Sequence, residues 1–194
     1  MKRVLFVCTG NTCRSPMSAA ILKHKANDRY DVKSAGLFAL NGQPAQPHAL
    51  AVLHDNNIEF KHSSRQLTSE LVDWADIILT MTENHKHALI QQFPKSLDKV
   101  ETLKGYLAFQ EQWDQWKEAR ADYELKKAIV DNESRALDEE AQKEFQHAYE
   151  RIQQLEKSSG SMDIVDPFGS SKHAYNAVFT ELEELIDRFL ENDV

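Results

Sequence analysis

Cys8 and Arg14 stand six residues apart near the start of the chain, in the stretch Cys8-Thr9-Gly10-Asn11-Thr12-Cys13-Arg14-Ser15. A thiol and a guanidinium at that spacing suit chemistry on an oxyanion if the chain between them closes into a tight loop. The flanks favour such a loop. Val4-Leu5-Phe6-Val7 reads as a buried parallel strand, and Met17, Ala20, Ile21 and Leu22 after Pro16 recur at helical spacing. The loop therefore ends at a helix N-terminus, where unpaired backbone N–H groups and the macrodipole favour an anion. Gly10 lets the backbone approach that anion and can take positive φ, and Asn11 tolerates left-handed geometry better than most residues. Pro16 fits an early helical position, where its missing N–H is not needed. The planar fork of Arg14 matches two oxygens of a phosphate. The helix N-terminus and the arginine also favour the thiolate of Cys8, a nucleophile for in-line attack on phosphorus. Ser15 can donate a hydrogen bond to that thiolate and make it a better leaving group afterwards.

Other readings of these residues are blander. Cys8 and Cys13 could be two buried apolar side chains or half of a metal site. A metal site wants more ligands, and the chain has no further cysteine. Asp166-Pro167 is by itself an ordinary turn, although proline restricts where the preceding carboxylate points. His62 reads as an exposed loop histidine, and His48, after Pro47, as a helix-start residue. His85 and His87 lie two apart on a predicted helix and face different sides, which reads as two surface residues.

Strands and helices alternate around the loop. Tyr30–Gly36 reads as an edge strand, and residues 37–47 as a turn-rich connection. His48–Asn56 reads as a helix, and Thr68 starts a capped short helix. Asp76–Met81 is a second buried strand, followed by a helix capped by Thr82 or Asn84 and a short strand at Lys99–Leu103. From Ser170 the chain runs to a closing helix with Tyr175, Val178, Leu182, Leu185, Ile186 and Phe189 on one face. The expected architecture is α/β, a parallel sheet with helices on both faces. Residues 106–161 differ: they lack proline, and glycine before Gly160. Trp113, Trp116 and Tyr123 share a helical face, and Ala141, Phe145, Ala148, Ile152 and Leu155 repeat at spacings of four and three. With a turn at Asp131–Ser134 and a flexible return at Ser158–Ser161, this predicts a helical hairpin inserted into a single domain spanning 1–194. It reads either as a solvated elaboration or as an arm that gates substrate or makes oligomers.

Composition bounds the function. The net charge is −8, with 8 basic against 13 acidic side chains in 106–161, so general binding to nucleic acid or to an anionic membrane is not expected. An anionic substrate must be held by local donors. Two cysteines in one loop make no disulfide framework. The apolar run after Met1-Lys2-Arg3, about five residues, is too short for a signal-peptide core. No stretch is long enough to span a membrane. The expectation is a soluble, cytoplasmic protein.

The run from Val7 to Met17 resembles the phosphate loop of the low-molecular-weight protein tyrosine phosphatase family, and more closely its bacterial protein arginine phosphatase branch. Further likenesses are Ser34-Ala35-Gly36, Pro47-His48-Ala49, His62 with Leu67-Thr68, Ala75-Asp76, Met81-Thr82 and Asp166-Pro167-Phe168-Gly169. They cover roughly residues 1–105 and 162–190. The resemblance implies four strands in the order 2-1-3-4, with phosphate at the carboxyl end of the first, as the general rule for open α/β sheets has it. It implies catalysis by Cys8, Arg14 and Asp166, with Asp166 as general acid and then base, and no metal or cofactor. The phosphate would be bound by Thr9, Gly10, Asn11, Thr12, Cys13, Arg14 and Ser15, with Asn11 and Ser15 supported by Ser34 and His62.

The resemblance also bears on the substrate. Tyrosine-specific members carry a bulky aliphatic residue where Thr12 stands, and the arginine-specific branch carries threonine. The threonine methyl narrows the space for an aromatic ring, and its hydroxyl is compatible with a flat guanidinium. Tyrosine-specific relatives often add an aromatic after the Asp-Pro pair, and Gly169 removes that wall. Phosphoarginine on proteins is therefore expected ahead of phosphotyrosine, with the protein a monomer or weak homo-oligomer. Arsenate reductases of the same fold relay a disulfide through late cysteines, which this chain lacks. A non-catalytic phosphoresidue-binding or redox-sensing module is disfavoured by Cys8, Arg14 and Asp166 occurring together. Cys13 is close enough to form a protective disulfide with Cys8, or is simply a small buried residue.

Overall fold

The computed structural model describes residues 1–26, 28–108, 121–123, 125–126, 143–150 and 161–192. A four-stranded parallel sheet, β1 (Lys2–Cys8), β2 (Tyr30–Gly36), β3 (Ile77–Thr80) and β4 (Val100–Thr102), has the order β2-β1-β3-β4. The expected fold and strand order are therefore present. The central strand shows why its sequence is apolar without alternation. Val4, Phe6 and Cys8 face one core with α1 (Arg14–Lys25), α2 (Pro47–Asp55) and α5 (Lys172–Asn192). Leu5 and Val7 face the other, with α3 (Ser69–Trp74) and α4 (Glu83–Gln92). A strand covered on both faces needs apolar side chains on both. The closing helix buries Tyr175, Val178, Leu182, Leu185, Ile186 and Phe189, the stripe its periodicity predicts.

The described residues divide into a body, 1–107 with 162–194, and a second unit, 108–161. Tyr106 and Leu107 pack in the core of the body. In the second unit the described residues 121–123, 125–126 and 143–150 are helical, and Tyr123 stacks on Phe145 with ring centroids 5.3 Å apart. Trp113, Trp116, the turn at Asp131–Ser134, Ala141, Ile152, Leu155 and Ser158–Gly160 lie outside the described residues.

Gly36 ends β2 beneath the loop that follows β1. A Cβ built there would lie 2.5 Å from the Thr9 carbonyl oxygen and 2.8 Å from the Asn11 nitrogen. Both are backbone atoms and cannot swing aside. Gly36→Ala is expected to destabilise the fold by about 1–3 kcal/mol, as overpacking does, and to distort the loop. Urea unfolding measures this, and a variant as stable as the parent would show that the loop shifts freely.

Candidate active site

The loop from Cys8 to Ser15 joins β1 to α1 at the carboxyl end of the sheet. Its shape depends on Asn11, which has φ 54° and is fully buried. The sequence offered Gly10 as well for positive φ, but only Asn11 takes it. Asparagine tolerates this region, and five hydrogen bonds hold it there. Its Nδ2 donates to Ser15 Oγ at 3.0 Å and Ser34 Oγ at 2.9 Å, and its Oδ1 accepts from Arg65 N at 3.0 Å. Its carbonyl accepts from Ser64 Oγ and from His62 Nε2, both at 2.7 Å. A carbonyl only accepts, so Nε2 of His62 carries a proton. Burial lowers the pKa of His62, and the bond to Asn11 works against that. The structure thus brings Asn11, Ser15, Ser34 and His62 together, and adds Ser64 and Arg65, which the sequence reading missed.

Cys8 Sγ lies 2.9 Å from Ser15 Oγ. Ser15 also reaches the Ala35 carbonyl at 3.4 Å. Its proton can rest on that carbonyl when Cys8 is a thiol and turn to sulfur when Cys8 is a thiolate. No side chain caps α1, whose N-cap is Cys13, and its first turn holds no acidic residue. Cys13 plays a different part from Cys8. It is buried, with Sγ 3.2 Å from Tyr175 Oη. Burial pushes its thiol up, and burial first, then the bond to Cys13, pushes up Tyr175. Both cysteines are free thiols.

Arg14 is 4% exposed. Its Nη1 donates to the Ile164 carbonyl at 3.0 Å and its Nη2 to Asp166 Oδ2 at 2.5 Å. Its buried Nε has no partner among the described residues, which leaves one donor for a bound group. Asp166 is fixed from the other side by Phe168 N, which donates to Oδ1 at 3.1 Å. Cys8, Thr9, Gly10, Thr12, Cys13, Arg14, Asp166 and Phe168 line one cavity of about 250 Å³. Its aromatic wall is Phe168, 64% exposed, and not the position of Gly169, which takes φ 75° in the turn. Among the described residues no three His, Cys, Asp or Glu side chains gather as a metal site would need.

One histidine departs from expectation. His87 is exposed, but His85 is 7% exposed and sits against the loop. Its Nε2 is 2.8 Å from Thr9 Oγ1 and its Nδ1 is 2.8 Å from Thr82 Oγ1. Thr82 caps α4 and accepts from the His85 backbone N–H at 3.2 Å. A signal was present in the sequence: His85 stands four residues before Leu89, so the two share one helix face, and the apolar residue marks that face as inward. The same helix end meets the segment that carries Asp166, because Glu83 N donates to Asp163 Oδ1 at 2.8 Å.

The model of the "Low molecular weight phosphotyrosine protein phosphatase" family matches residues 3–147. The chain belongs to this family. Asp166 lies beyond the matched residues, so its place rests on its bond to Arg14. A "Protein-arginine-phosphatase" of Geobacillus stearothermophilus is 37% identical over 189 residues, 97% of this chain and 94% of the relative, and that alignment runs through residues 106–161. A "Low molecular weight protein-tyrosine-phosphatase PtpB" of Staphylococcus haemolyticus is 30% identical over 191 residues, 98% of this chain and 99% of the relative. Among solved structures, a "YwlE arginine phosphatase from Geobacillus stearothermophilus" is similar with a TM-score of 0.70 at 37% identity. It covers 98% of this chain and 92% of that one.

The buried His85 generates a test. Burial, and after it the Arg14 guanidinium, lowers its pKa from 6.5 to about 4, with Asp166 and Asp163 opposing. The unfolded chain takes up this proton first. The contribution of neutral His85 to stability is therefore full above 6.5 and is lost as pH falls toward about 4. Melting temperature followed between about pH 7 and about pH 4 should fall more steeply for the parent than for His85→Gln. Equal slopes would mean that His85 is not held neutral in the fold.

Proposed function

We propose that this protein removes phosphate from arginine side chains of proteins through a cysteinyl-phosphate intermediate. The observation that carries the reading is that Cys8, Thr12, Arg14 and Asp166 line the same cavity, in a chain whose likeness to a protein-arginine-phosphatase runs over 97% of its length. The Cys8 thiolate attacks phosphorus in line with the P–N bond. As that bond breaks, the Asp166 carboxyl gives its proton to the departing guanidino nitrogen. The loop amides and Arg14 bear the charge on the phosphoryl oxygens. The Asp166 carboxylate then takes a proton from water, and the water oxygen attacks phosphorus. The S–P bond breaks, orthophosphate leaves, and the thiolate returns, stabilised by Ser15.

The same residues would serve phosphotyrosine, and the likeness to a tyrosine phosphatase over 98% of the chain keeps that reading in play. Thr12 supports phosphoarginine, since it lines the cavity beside Phe168 and offers a hydroxyl compatible with a flat guanidinium where tyrosine-specific members carry a bulky aliphatic residue. The reading takes the substrates to be phosphorylated proteins, the enzyme to work in the cytoplasm as a monomer or weak homo-oligomer, and residues 106–161 to form a helical hairpin. Among the described residues no helix is long and apolar enough to cross a membrane.

Two outcomes follow from these assignments. In a phosphate-release assay on matched peptides, phosphoarginine should be preferred over phosphotyrosine. Thr12→Ile should weaken that preference, and Cys8→Ser should abolish release from both. A parent that prefers phosphotyrosine would return the protein to the tyrosine-specific class and make Thr12 incidental. Asp166→Asn should slow turnover by about 10²–10⁴-fold, the usual share of general acid–base catalysis. An unchanged rate on substrates with poor leaving groups would remove Asp166 from that role.

A further inference from the structure

His85 has both ring nitrogens engaged, and the two-step chemistry above does not use it. Its place between Thr82 and Thr9 allows the protons to be followed. The Thr82 hydroxyl oxygen already accepts from the His85 backbone N–H at 3.2 Å. Its own proton needs an acceptor, and His85 Nδ1 lies 2.8 Å away. A neutral imidazole that accepts at Nδ1 carries its proton on Nε2. That proton goes to Thr9 Oγ1, at 2.8 Å. The hydroxyl proton of Thr9 is then spare, and Thr9 lines the cavity with Cys8 and Arg14. In the reverse order Thr82 Oγ1 would accept from both His85 Nδ1 and the His85 backbone N–H, its own proton would have no acceptor among the described residues, and the Thr9 proton would turn away from the cavity.

We propose that the chain Thr82–His85–Thr9 makes the Thr9 hydroxyl an oriented donor to a phosphoryl oxygen, with His85 as the positioning residue. The inference rests on reading the cavity as a phosphoryl site, and it does not depend on which phosphoresidue is the substrate. A donor held in advance loses little freedom when the anion arrives, which suits a site meant to bear charge. Thr9 follows the nucleophile directly in the chain, so its donor adds to the loop amides and Arg14 on the side facing α4.

The test is a calorimetric titration of orthophosphate into the intact protein and into Thr9→Val, Thr9→Ser, His85→Ala and the Thr9→Val/His85→Ala pair. Thr9→Val and His85→Ala should each weaken binding about tenfold, the scale of one hydrogen bond to a charged group. Thr9→Ser should bind like the parent. The double variant should bind no more weakly than Thr9→Val, because one donor has been removed in both. Binding by Thr9→Val within about twofold of the parent would overturn the proposal. So would His85→Ala that melts lower but binds orthophosphate unchanged, which is what a packing role alone gives. Thr9 is exposed at the loop surface, so Thr9→Val and Thr9→Ser carry the test even if His85→Ala does not fold. A parent that binds orthophosphate but hydrolyses neither phosphopeptide would sink the proposed activity and leave this inference standing. A parent that releases phosphate from a phosphopeptide but binds no orthophosphate would overturn this inference and leave the activity standing.

Discussion

The buried, left-handed Asn11 is the constraint on which the site depends. A non-glycine residue in that region costs about 1–2 kcal/mol, less for asparagine. Five hydrogen bonds, each contributing about 1 kcal/mol net, offset it. What the bonds secure is a backbone path that returns the chain to the N-terminus of α1 within a few residues and sets Ser15 Oγ beside Cys8 Sγ at 2.9 Å. The partners come from three places: Ser15 in the loop, Ser34 on the edge strand, and the segment 62–65. That segment is attached in turn to the end of β2, where Gly36 N donates to the Arg65 carbonyl at 3.0 Å. A glycine is needed there because the loop lies against it.

Asp166 is positioned by a second set of contacts, from β3, Lys104 and Arg14. Ile164 N donates to the Met81 carbonyl at 2.8 Å at the end of β3, and Lys104 Nζ donates to the Asp163 carbonyl at 2.9 Å. Arg14 reaches the Ile164 carbonyl with one nitrogen and Asp166 with another. Arg14 thus ties the segment that carries Asp166 to the loop that carries Cys8.

The sequence was most informative where chemistry and local structure coincide. In residues 4–22 the apolar strand, polar loop and proline-led helix carry both the fold and the site. The sheet was legible from apolar runs, with element ends displaced by a residue or two. Ser34 and His62 came only with the family resemblance, since nothing local distinguishes them. Ser64, Arg65, His85 and Tyr175 gain their meaning from partners 53 to 162 residues away, and no periodicity reports such a contact. The reading of His85 as a surface residue erred for a narrower reason. The spacing of the pair showed that His85 and His87 face different sides, and Leu89, four residues after His85, marks which side is inward.

The central claim is that Cys8, held by this loop, takes the phosphoryl group itself. The most direct measurement is to quench the protein during turnover of a phosphoarginine peptide and map phosphate on its own peptides by mass spectrometry. The account predicts a transient phosphate on Cys8 and none on Cys13, whose buried thiol lies against Tyr175 Oη and whose pKa burial pushes up. Steady turnover with no phosphorylated enzyme, or phosphate on Cys13, would contradict it.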